Sequence, residues 1–595
     1  MAALAVLALT PAALDTARRL AQALPGAELH GLKTRVPEGL PFEDTAGHIR
    51  ALFEAGTAIV GVCAAGILIR ALAPLLTDKR AEPPVLAVAV DGASVVPLLG
   101  GHHGANELAR EAAGILGSHA AITTAGDRRL GLALDVPPPG WHLANPSAAK
   151  AVTAALLARQ PVALRLEAGS ADWLARLPLV AEAPLSIRIT DRAVSEPGPD
   201  LVFHPPVLTL GVGCERGTPA EELITLARVT LAEAGLAAGA VACVASLDLK
   251  EDEPAVHALA RDLGVPARFF PPVVLEAEAG RLATPSEVVF QETGCHGVAE
   301  GAALAAIGAE ATLLVPKRKS RRATCAVARA PHPFEPAGQA RGRLFVVGIG
   351  PGAGIWRTPE ATRALAEATD LVGYGLYLDL LGPVAAGKRR HESHLGAEHD
   401  RVRIALDLAA EGKEVALVCS GDAGIYALAT LVFELIEQEN RPAWNRLDVA
   451  VMPGISALQA AAARAGAPIN HDFCTISLSD LLTPWPVIER RLKAAAEGDF
   501  VVAFYNPVSR KRRDQLARAR DLLLTGRPAA TPVILARNLG REGETVEVIT
   551  LGELTPDHAD MLTLVMVGNS ESRVITQAGR RWVYTPRGYA GKIFG

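Results

Sequence analysis

The stretch APHPFEPAGQARG, residues 330–342, sets prolines, glycines and polar residues between two apolar runs, TCAVAR before it and RLFVVGIG after it. Beyond it the chain starts over, with a fresh strand, a glycine-rich turn and a helix. A chain that restarts in this way folds as two proteins joined end to end. Its 595 residues also exceed what one hydrophobic core supports, so about three or four domains are expected. Strand-like runs alternate with helical patterns in both halves, which predicts α/β domains on largely parallel sheets. Half the residues are hydrophobic yet only 4% are aromatic, a balance that suits alanine-rich helices lying close to sheets. The expected divisions are a small α/β domain over 1–135, a proline-rich connecting segment over 136–204, a second small α/β domain over 205–330, a linker over 331–341, and a two-domain α/β region over 342–595.

Composition removes several function classes. A net charge of −5 gives no basic field, which argues against nucleic acid as the partner. The most apolar stretch, GTAIVGVCAAGILIRALAPLL, is broken by Arg70 and carries glycines where a strand turns into a helix, so no membrane span is expected. The opening MAALAVLALTPAALDTARRL lacks a basic n-region and runs into an amphipathic helix. It reads as the first strand of a cytoplasmic protein rather than as a secretory signal. Cys63, Cys214, Cys243, Cys295, Cys325, Cys419 and Cys474 form no C-x-x-C pair, so buried thiols are expected rather than disulfides or a zinc site.

Within RLFVVGIGPGAGIWRTPEATRAL, residues 343–365, Gly348, Gly350 and Ala353 match the relaxed dinucleotide fingerprint. That turn works because a helix begins at the glycines and aims its free N–H groups at a pyrophosphate. Here Pro351 deletes an N–H in mid-turn, and Thr358-Pro359, a capping residue followed by an N1 proline, puts the helix start further along. The nicotinamide reading therefore loses its anion socket. What remains is a strand-end loop that admits close approach to its backbone. Comparable turns follow strands at VALVCSGDAGIYALA (415–429), VAVMPGISALQAAAAR (449–464) and FVVAFYNPVSR (500–510), and later at PVILARNLGREGE and MLTLVMVGNS. Any one alone is an ordinary βα turn. As a set they place loops at strand carboxyl ends, where open α/β sheets bind ligands.

This series, with HDFCTISLSDLLTPW at 471–485, resembles the tetrapyrrole methylase family, and within it the precorrin-3B C-17-methyltransferase branch of cobalamin biosynthesis, over essentially all of 342–595. The resemblance implies S-adenosylmethionine held in a cleft between two α/β domains, methyl transfer to C-17, ring contraction with extrusion of a meso carbon, and a homodimer. By motif position it assigns Gly348 and Pro351 to the cleft floor, and Ser420, Asp422, Ile425 and Tyr426 to the methionine and sulfonium end. Ser456 and Ala457 join that end, with Tyr505 and Asn506 near the adenosine. A sulfonium cofactor carries no phosphate, so it needs carbonyls, small residues and an occasional carboxylate, a need Asp422 fits. Methyl transfer to an enamine-like carbon rests mainly on in-line positioning. The acid for ring contraction is not assigned by the residues.

A polycarboxylate substrate calls for cations. GKRRHESHLGAEHDR (387–401) and SRKRRDQ (509–515) supply Arg389, Arg390, Arg510, Lys511 and Arg513, either for that substrate or as a solvated basic face. His391, His394 and His399 fit no common zinc spacing, and no resident metal is expected.

The N-terminal half carries a second resemblance. Residues 66–127, including GGHHGANELAR, resemble the N-terminal domain of the CbiG family, cobalt-precorrin-5A hydrolases that open a lactone and release acetaldehyde. LGVGCERGTPAEEL, SLDLKEDEPAVHALARDLG and GVAEGAALAAIGAEATLLVPKRKS resemble that family's C-terminal domain, with the middle segment the least distinctive. His102, His103, Asn106 and Glu107 stand at a turn opening a helix, where they either polarise a lactone carbonyl and position water or simply begin a capped helix. Lys79 and Arg70 are candidate carboxylate partners. Where the family has Thr-Thr-Ala-Thr-Asp this chain has TTAGD, a departure at Gly126 that bears on the local geometry more than on the family resemblance. The whole reads as a methyltransferase fused to a lactone-opening hydrolase, with a non-catalytic tetrapyrrole-binding N-terminal half as the alternative.

Overall fold

The computed structural model describes residues 4–77, 82–122, 130, 132, 134–195, 198–394, 396–509 and 512–587. The chain divides into two compact units, one of Met1–Arg343 with Asp407–Glu414 and Asn440–Asp448, the other of Leu344–Leu406, Val415–Glu439 and Val449–Gly595. Each is built of α/β layers, as the alternation of strands and helices predicts.

Three sheets make up most of the first unit. The first runs in spatial order Leu40–Phe42, Ala27–Leu32, Leu4–Ala8, Ala58–Val62, Val85–Val88, Ser94–Leu99, His119–Ala120. Its central strands LAVLA, AIVGV and VLAV are buried at every position, as parallel strands covered on both faces must be. Ser94–Leu99 turns back antiparallel, pairing Leu99 with Val85. The GGHH turn that follows therefore sits at the amino ends of the parallel strands. There Gly100 lies against the Pro83 backbone, and a Cβ on it would stand 2.4 Å from the Pro83 carbonyl oxygen. On the strand Ala27–Leu32, fully buried His30 bonds through Nδ1 to Nε2 of His48 at 3.0 Å. His48, on the helix Thr45–Glu54, stacks on Phe42 with ring centroids 4.2 Å apart.

The proline-rich segment is more than a connector, since it carries a sheet of its own: Leu179–Val180, Val162–Leu166, Leu185–Ile189, Leu201–His204 and antiparallel His142–Leu143. The third sheet orders Ala267–Phe270, Val241–Leu247, Leu208–Cys214, Ala323–Arg329 and Thr312–Lys319, the last two as an antiparallel pair. Beside it, on the helix Val298–Ala305, Glu300 is 1% exposed. Its carboxylate accepts the backbone N–H of Ala283 (2.8 Å), Thr284 (3.0 Å) and Lys317 (2.8 Å) and the Thr284 hydroxyl (2.8 Å). Glu300→Ala strands these donors, and a loss of about 3 kcal/mol of stability is expected, read as a lower denaturant midpoint of this unit.

The segment expected as a linker makes specific hydrogen bonds. Gln339 exchanges both backbone hydrogen bonds with Phe269, at 2.8 and 2.9 Å, on the open edge of the third sheet. Its side-chain amide donates to the Ala410 carbonyl at 2.6 Å, and Arg341 Nε donates to the Arg446 carbonyl at 2.8 Å.

In the second unit one sheet orders Arg389–Ser393, Asp370–Tyr374, Glu414–Cys419, Arg343–Gly348 and Asp448–Met452. Another orders Phe473–Ser477, Val501–Tyr505, Thr563–Val567, Pro532–Arg537 and Thr545–Thr550, mostly antiparallel, and a three-stranded sheet joins Gly466–Ala467, Arg580–Tyr584 and Arg573–Gln577. The helix Pro359–Glu367 starts where the capping signal puts it, with the Thr358 hydroxyl accepting the Ala361 N–H at 3.1 Å. Among the described residues no helix is long and apolar enough to cross a membrane. All seven cysteines are free thiols. Burial pushes those of Cys63 and Cys419 up to about 11 and those of Cys243 and Cys325 up to about 12, so they stay protonated and serve as packing.

Candidate functional site

In the second unit the strands Glu414–Cys419, Arg343–Gly348 and Asp448–Met452 are neighbours, so their carboxyl ends bring three loops to one place. Gly350 and Gly421 exchange backbone hydrogen bonds at 3.1 and 2.8 Å. A Cβ on Gly348 would lie 2.7 Å from the Gly421 carbonyl oxygen and 2.9 Å from the Gly454 nitrogen. One on Gly454 would lie 2.1 Å from that same oxygen and 2.7 Å from the Gly348 oxygen. The close approach that the glycines permit is thus, first, of loop backbone against loop backbone. Asp422 ties the same loops, its Oδ1 accepting the Gly424 N–H at 2.8 Å and its Oδ2 the Gly454 N–H at 3.0 Å. Buried Ser456 closes a capping box on the helix Ala457–Ala465, its hydroxyl accepting the Gln459 N–H at 3.2 Å while the Gln459 side chain accepts the Ser456 N–H at 2.9 Å.

The mixed sheet supplies the aromatic side. Tyr505, at the end of Val501–Tyr505, accepts the Leu458 N–H on its hydroxyl at 3.2 Å, and burial raises its pKa above the ordinary tyrosine value. Its ring lies 5.1 Å from that of Tyr426, whose hydroxyl donates to the Thr475 carbonyl at 3.0 Å. Asn506 donates from Nδ2 to the Ser477 hydroxyl at 3.2 Å. Tyr426 and Asn506 hold φ of 50° and 49°, a left-handed backbone that non-glycine residues adopt at a cost and that concentrates at functional sites. Ile425 is half-buried on the Tyr426 loop, and Pro351 is buried.

Arg541, in the loop after Pro532–Arg537, completes the cluster. Its Nε donates to the Pro351 carbonyl at 2.8 Å, its Nη2 donates to the Ser420 hydroxyl at 2.9 Å, and its guanidinium carbon stands 6.0 Å from the Tyr377 ring centroid. Sequence reasoning marks the NLGRE turn but passes over this side chain. The one signal available is an arginine set within a glycine turn, and nothing in the spacing says that it reaches back 190 residues.

The predicted cations stand differently. Arg390 pairs with Asp379 at 2.6 Å and Glu392 at 2.8 Å, and Arg513 pairs with Asp557. Arg389 is exposed on the edge strand Arg389–Ser393, while Arg510 and Lys511 lie outside the described residues. His391 Nε2 meets the buried Asp370 carboxylate at 2.7 Å, the His394 carbonyl accepts from Arg401 at 2.9 Å, and His399 is exposed. Among the described residues no group of three or more His, Cys, Asp or Glu is placed to hold a metal ion.

In the N-terminal half, Gly101–His103 forms a 3₁₀ turn and the helix Ala105–Leu116 starts from Gly104 at φ 88°, without a side-chain cap. Asn106 is buried, His103 is exposed, and Glu107 pairs with Arg110 at 3.2 Å. Arg70 donates to the Gly66 carbonyl of its own helix at 3.0 Å. Lys79, Gly126 and the His102 side chain lie outside the described residues.

Glycine loops from three adjacent strand ends, with tyrosines beside them, define an α/β protein with a loop site at strand carboxyl ends, where open sheets bind ligands. The profile of the Tetrapyrrole (Corrin/Porphyrin) Methylases matches residues 343–555, that of the Cobalamin synthesis G C-terminus residues 208–328, and that of the Cobalamin synthesis G N-terminal domain residues 47–127. The chain is similar to a precorrin-3B C(17)-methyltransferase of Sinorhizobium sp, 46% identical over 252 residues that cover 42% of this chain and 98% of that one. It is similar also to a probable cobalt-factor III C(17)-methyltransferase of Salmonella typhimurium, 47% identical over 248 residues, 41% of this chain and 99% of the other. The solved methyltransferase CobJ is 43% identical, with 41% of this chain and 100% of that one covered and a TM-score of 0.39. The chain belongs to the tetrapyrrole methylase family, carried behind CbiG N- and C-terminal domains. It is an S-adenosylmethionine-dependent methyltransferase of cobalamin synthesis.

Proposed function

We propose that the C-terminal region methylates C-17 of precorrin-3B, or of its cobalt counterpart, and contracts the macrocycle, while the CbiG half opens the lactone that contraction leaves. The observation that carries the reading is the alignment of single-activity C(17)-methyltransferases over 98% and 99% of their own lengths. In this reading Gly348 and Pro351 floor the cleft, and Ser420, Asp422, Ile425, Tyr426, Ser456 and Ala457 take the methionine end of the donor. Tyr505 and Asn506 take its adenosine. Asp422 spends one lone pair of each oxygen on a backbone N–H, and the rest of its negative charge offsets the sulfonium. When bound, the donor would supply an electrophilic methyl group, which these residues would hold facing C-17. The rate comes from holding donor and acceptor in line. Exposed Arg389 would bind the acid side chains of the macrocycle, joined by Arg390 and Arg513 on exchange of their protein carboxylates, and Arg510 and Lys511, outside the described residues, keep the same proposed role. The divisions at 135, 204, 330 and 341, a homodimer through the methylase region and a cytoplasmic setting belong to the same reading.

The second reading, a CbiG half that binds tetrapyrrole without catalysis, is favoured by one observation. The turn bearing His103, with Glu107 in the first turn of the helix after it, lies at the amino ends of the parallel strands, opposite the end at which open sheets bind ligands. Anaerobic incubation of the intact protein with S-adenosylmethionine and, in parallel, precorrin-3B and cobalt-factor III tests both readings through product mass and released acetaldehyde. Turnover of the cobalt substrate, with acetaldehyde once the next methylation is supplied, is expected if both halves are catalysts. Methylation without acetaldehyde leaves the carrier reading, and no methylated product from either substrate overturns the C-17 assignment.

A further inference from the structure

We propose that Arg541 is the carboxylate-binding residue of the methyl-transfer cleft, recognising the carboxylate of the methyl donor or an acid side chain of the macrocycle. The proposal rests on the reading of this cleft as the site of methyl transfer. Arg541 spends the Nε and Nη2 edge of its guanidinium on two neutral acceptors, the Pro351 carbonyl at 2.8 Å and the Ser420 hydroxyl at 2.9 Å. Among the described residues no carboxylate lies within ion-pair distance of it. Arg464 in the same region, by contrast, pairs with Glu544 at 2.6 Å. A half-buried guanidinium without a counter-charge is costly, and an incoming anion removes that cost.

The guanidinium is also held in place. Glu544 accepts the Gly540 N–H at 2.7 Å while it holds Arg464, whose guanidinium lies 4.5 Å from the Trp356 ring centroid. Asn538 and Gly540 take φ of 51° and 67°, and a Cβ on Gly352 would meet the Gly540 carbonyl at 2.5 Å. The loop carrying Arg541 is thereby locked onto the loop that follows the first strand of this unit. The end of the fork formed by Nη1 and Nη2 faces no acceptor among the described residues, and that end matches the two oxygens of a carboxylate. Ser420 accepts from Arg541, which leaves its own hydroxyl proton to donate to the same anion.

The two sources of the carboxylate separate by experiment. Dissociation constants of S-adenosylhomocysteine, of its decarboxylated analogue S-adenosyl-3-thiopropylamine, and of precorrin-3B are measured by calorimetry on the intact protein and on Arg541→Gln and Arg541→Lys, with melting temperatures alongside. A charge-assisted hydrogen bond lost on one ligand is expected to weaken it about ten- to hundredfold. If S-adenosylhomocysteine weakens and its decarboxylated analogue binds wild type and Arg541→Gln alike, the donor carboxylate is the partner. If precorrin-3B alone weakens, the macrocycle is. In either case Arg541→Lys recovers part of the loss, since it keeps the charge without the fork. Unchanged constants, or losses that strike the decarboxylated analogue equally or accompany a fall in melting temperature in both variants, overturn the assignment. Binding needs no turnover, so a failure of the C-17 reading, seen as wild type without product, is told apart from a failure of Arg541.

Discussion

Gly454→Ala is expected to weaken S-adenosylhomocysteine binding and slow methyl transfer about a hundredfold while the first unit unfolds as before. The new Cβ would sit 2.1 Å from the Gly421 carbonyl oxygen and 2.7 Å from that of Gly348. Both neighbours are backbone, and both belong to loops already joined by the Gly350 and Gly421 hydrogen bonds, so no side chain can swing aside. The loop at 453–456 must move by about 1 Å, which breaks the bond from the Gly454 N–H to Asp422 and shifts Ser456 at the helix start. A displacement of that size costs about a hundredfold in rate at a positioned site, and the overlap itself about 3 kcal/mol. Gly354→Ala is the matched control, because nothing lies within 4 Å of its Cβ position. Calorimetry with S-adenosylhomocysteine and thermal scans of the two variants decide the matter. If Gly454→Ala binds the ligand as Gly354→Ala does, the interlock of the three loops is not what shapes the site.

Acid should act first on the N-terminal sheet, through His30 and His48. Burial lowers the pKa of His30 to about 4, and burial with the neighbouring His30 lowers that of His48 to about 3. The unfolded chain takes up protons near pH 6.5 that the folded pair refuses. Stability is therefore complete above pH 6.5 and falls as the pH drops towards 4, where His30 alone accounts for about 3 kcal/mol. In His30→Gln that loss should shrink by about 3 kcal/mol. Urea midpoints of the intact protein at pH 7.5 and 4, wild type against variant, measure the difference. Equal losses in the two proteins would mean that carboxylates, and not this pair, set the acid limit.

Local signals carried much of this structure, and long-range partners carried the rest. Thr358-Pro359 announces a helix start because a cap and an N1 proline act on the very next residues, and the structure has the Ala361 N–H on the Thr358 hydroxyl. That displaced start is also why the Gly348 turn is no dinucleotide socket. Gly348 was legible as a position needing a bare backbone. What presses on it, Gly421 and Gly454, depends on which strands are neighbours, and strand order is not written in any single loop. Arg541 was missed for the same reason, since its acceptors stand far back in the chain. The arginines of 387–401 and 509–515 stand out because they cluster, yet Arg390 and Arg513 meet carboxylates of the protein itself. Clustered charge signals the presence of cations and does not say which of them still lacks a partner. Likewise prolines and glycines in 136–204 hid a sheet whose strands are only two to five residues long.

The bonded state of residues 330–342 bears on how this protein can be taken apart. Composition marks Ala330 as the natural place to cut, but a fragment ending there gives up Gln339 and with it both hydrogen bonds on Phe269. The strand Ala267–Phe270 would then be a bare sheet edge, the kind of surface that recruits other chains into aggregates. A fragment that fails in solution for that reason would be mistaken for an inactive enzyme. The dividing point that keeps the edge closed lies after Arg341, where the chain has already left the older sheet and has not yet begun the next.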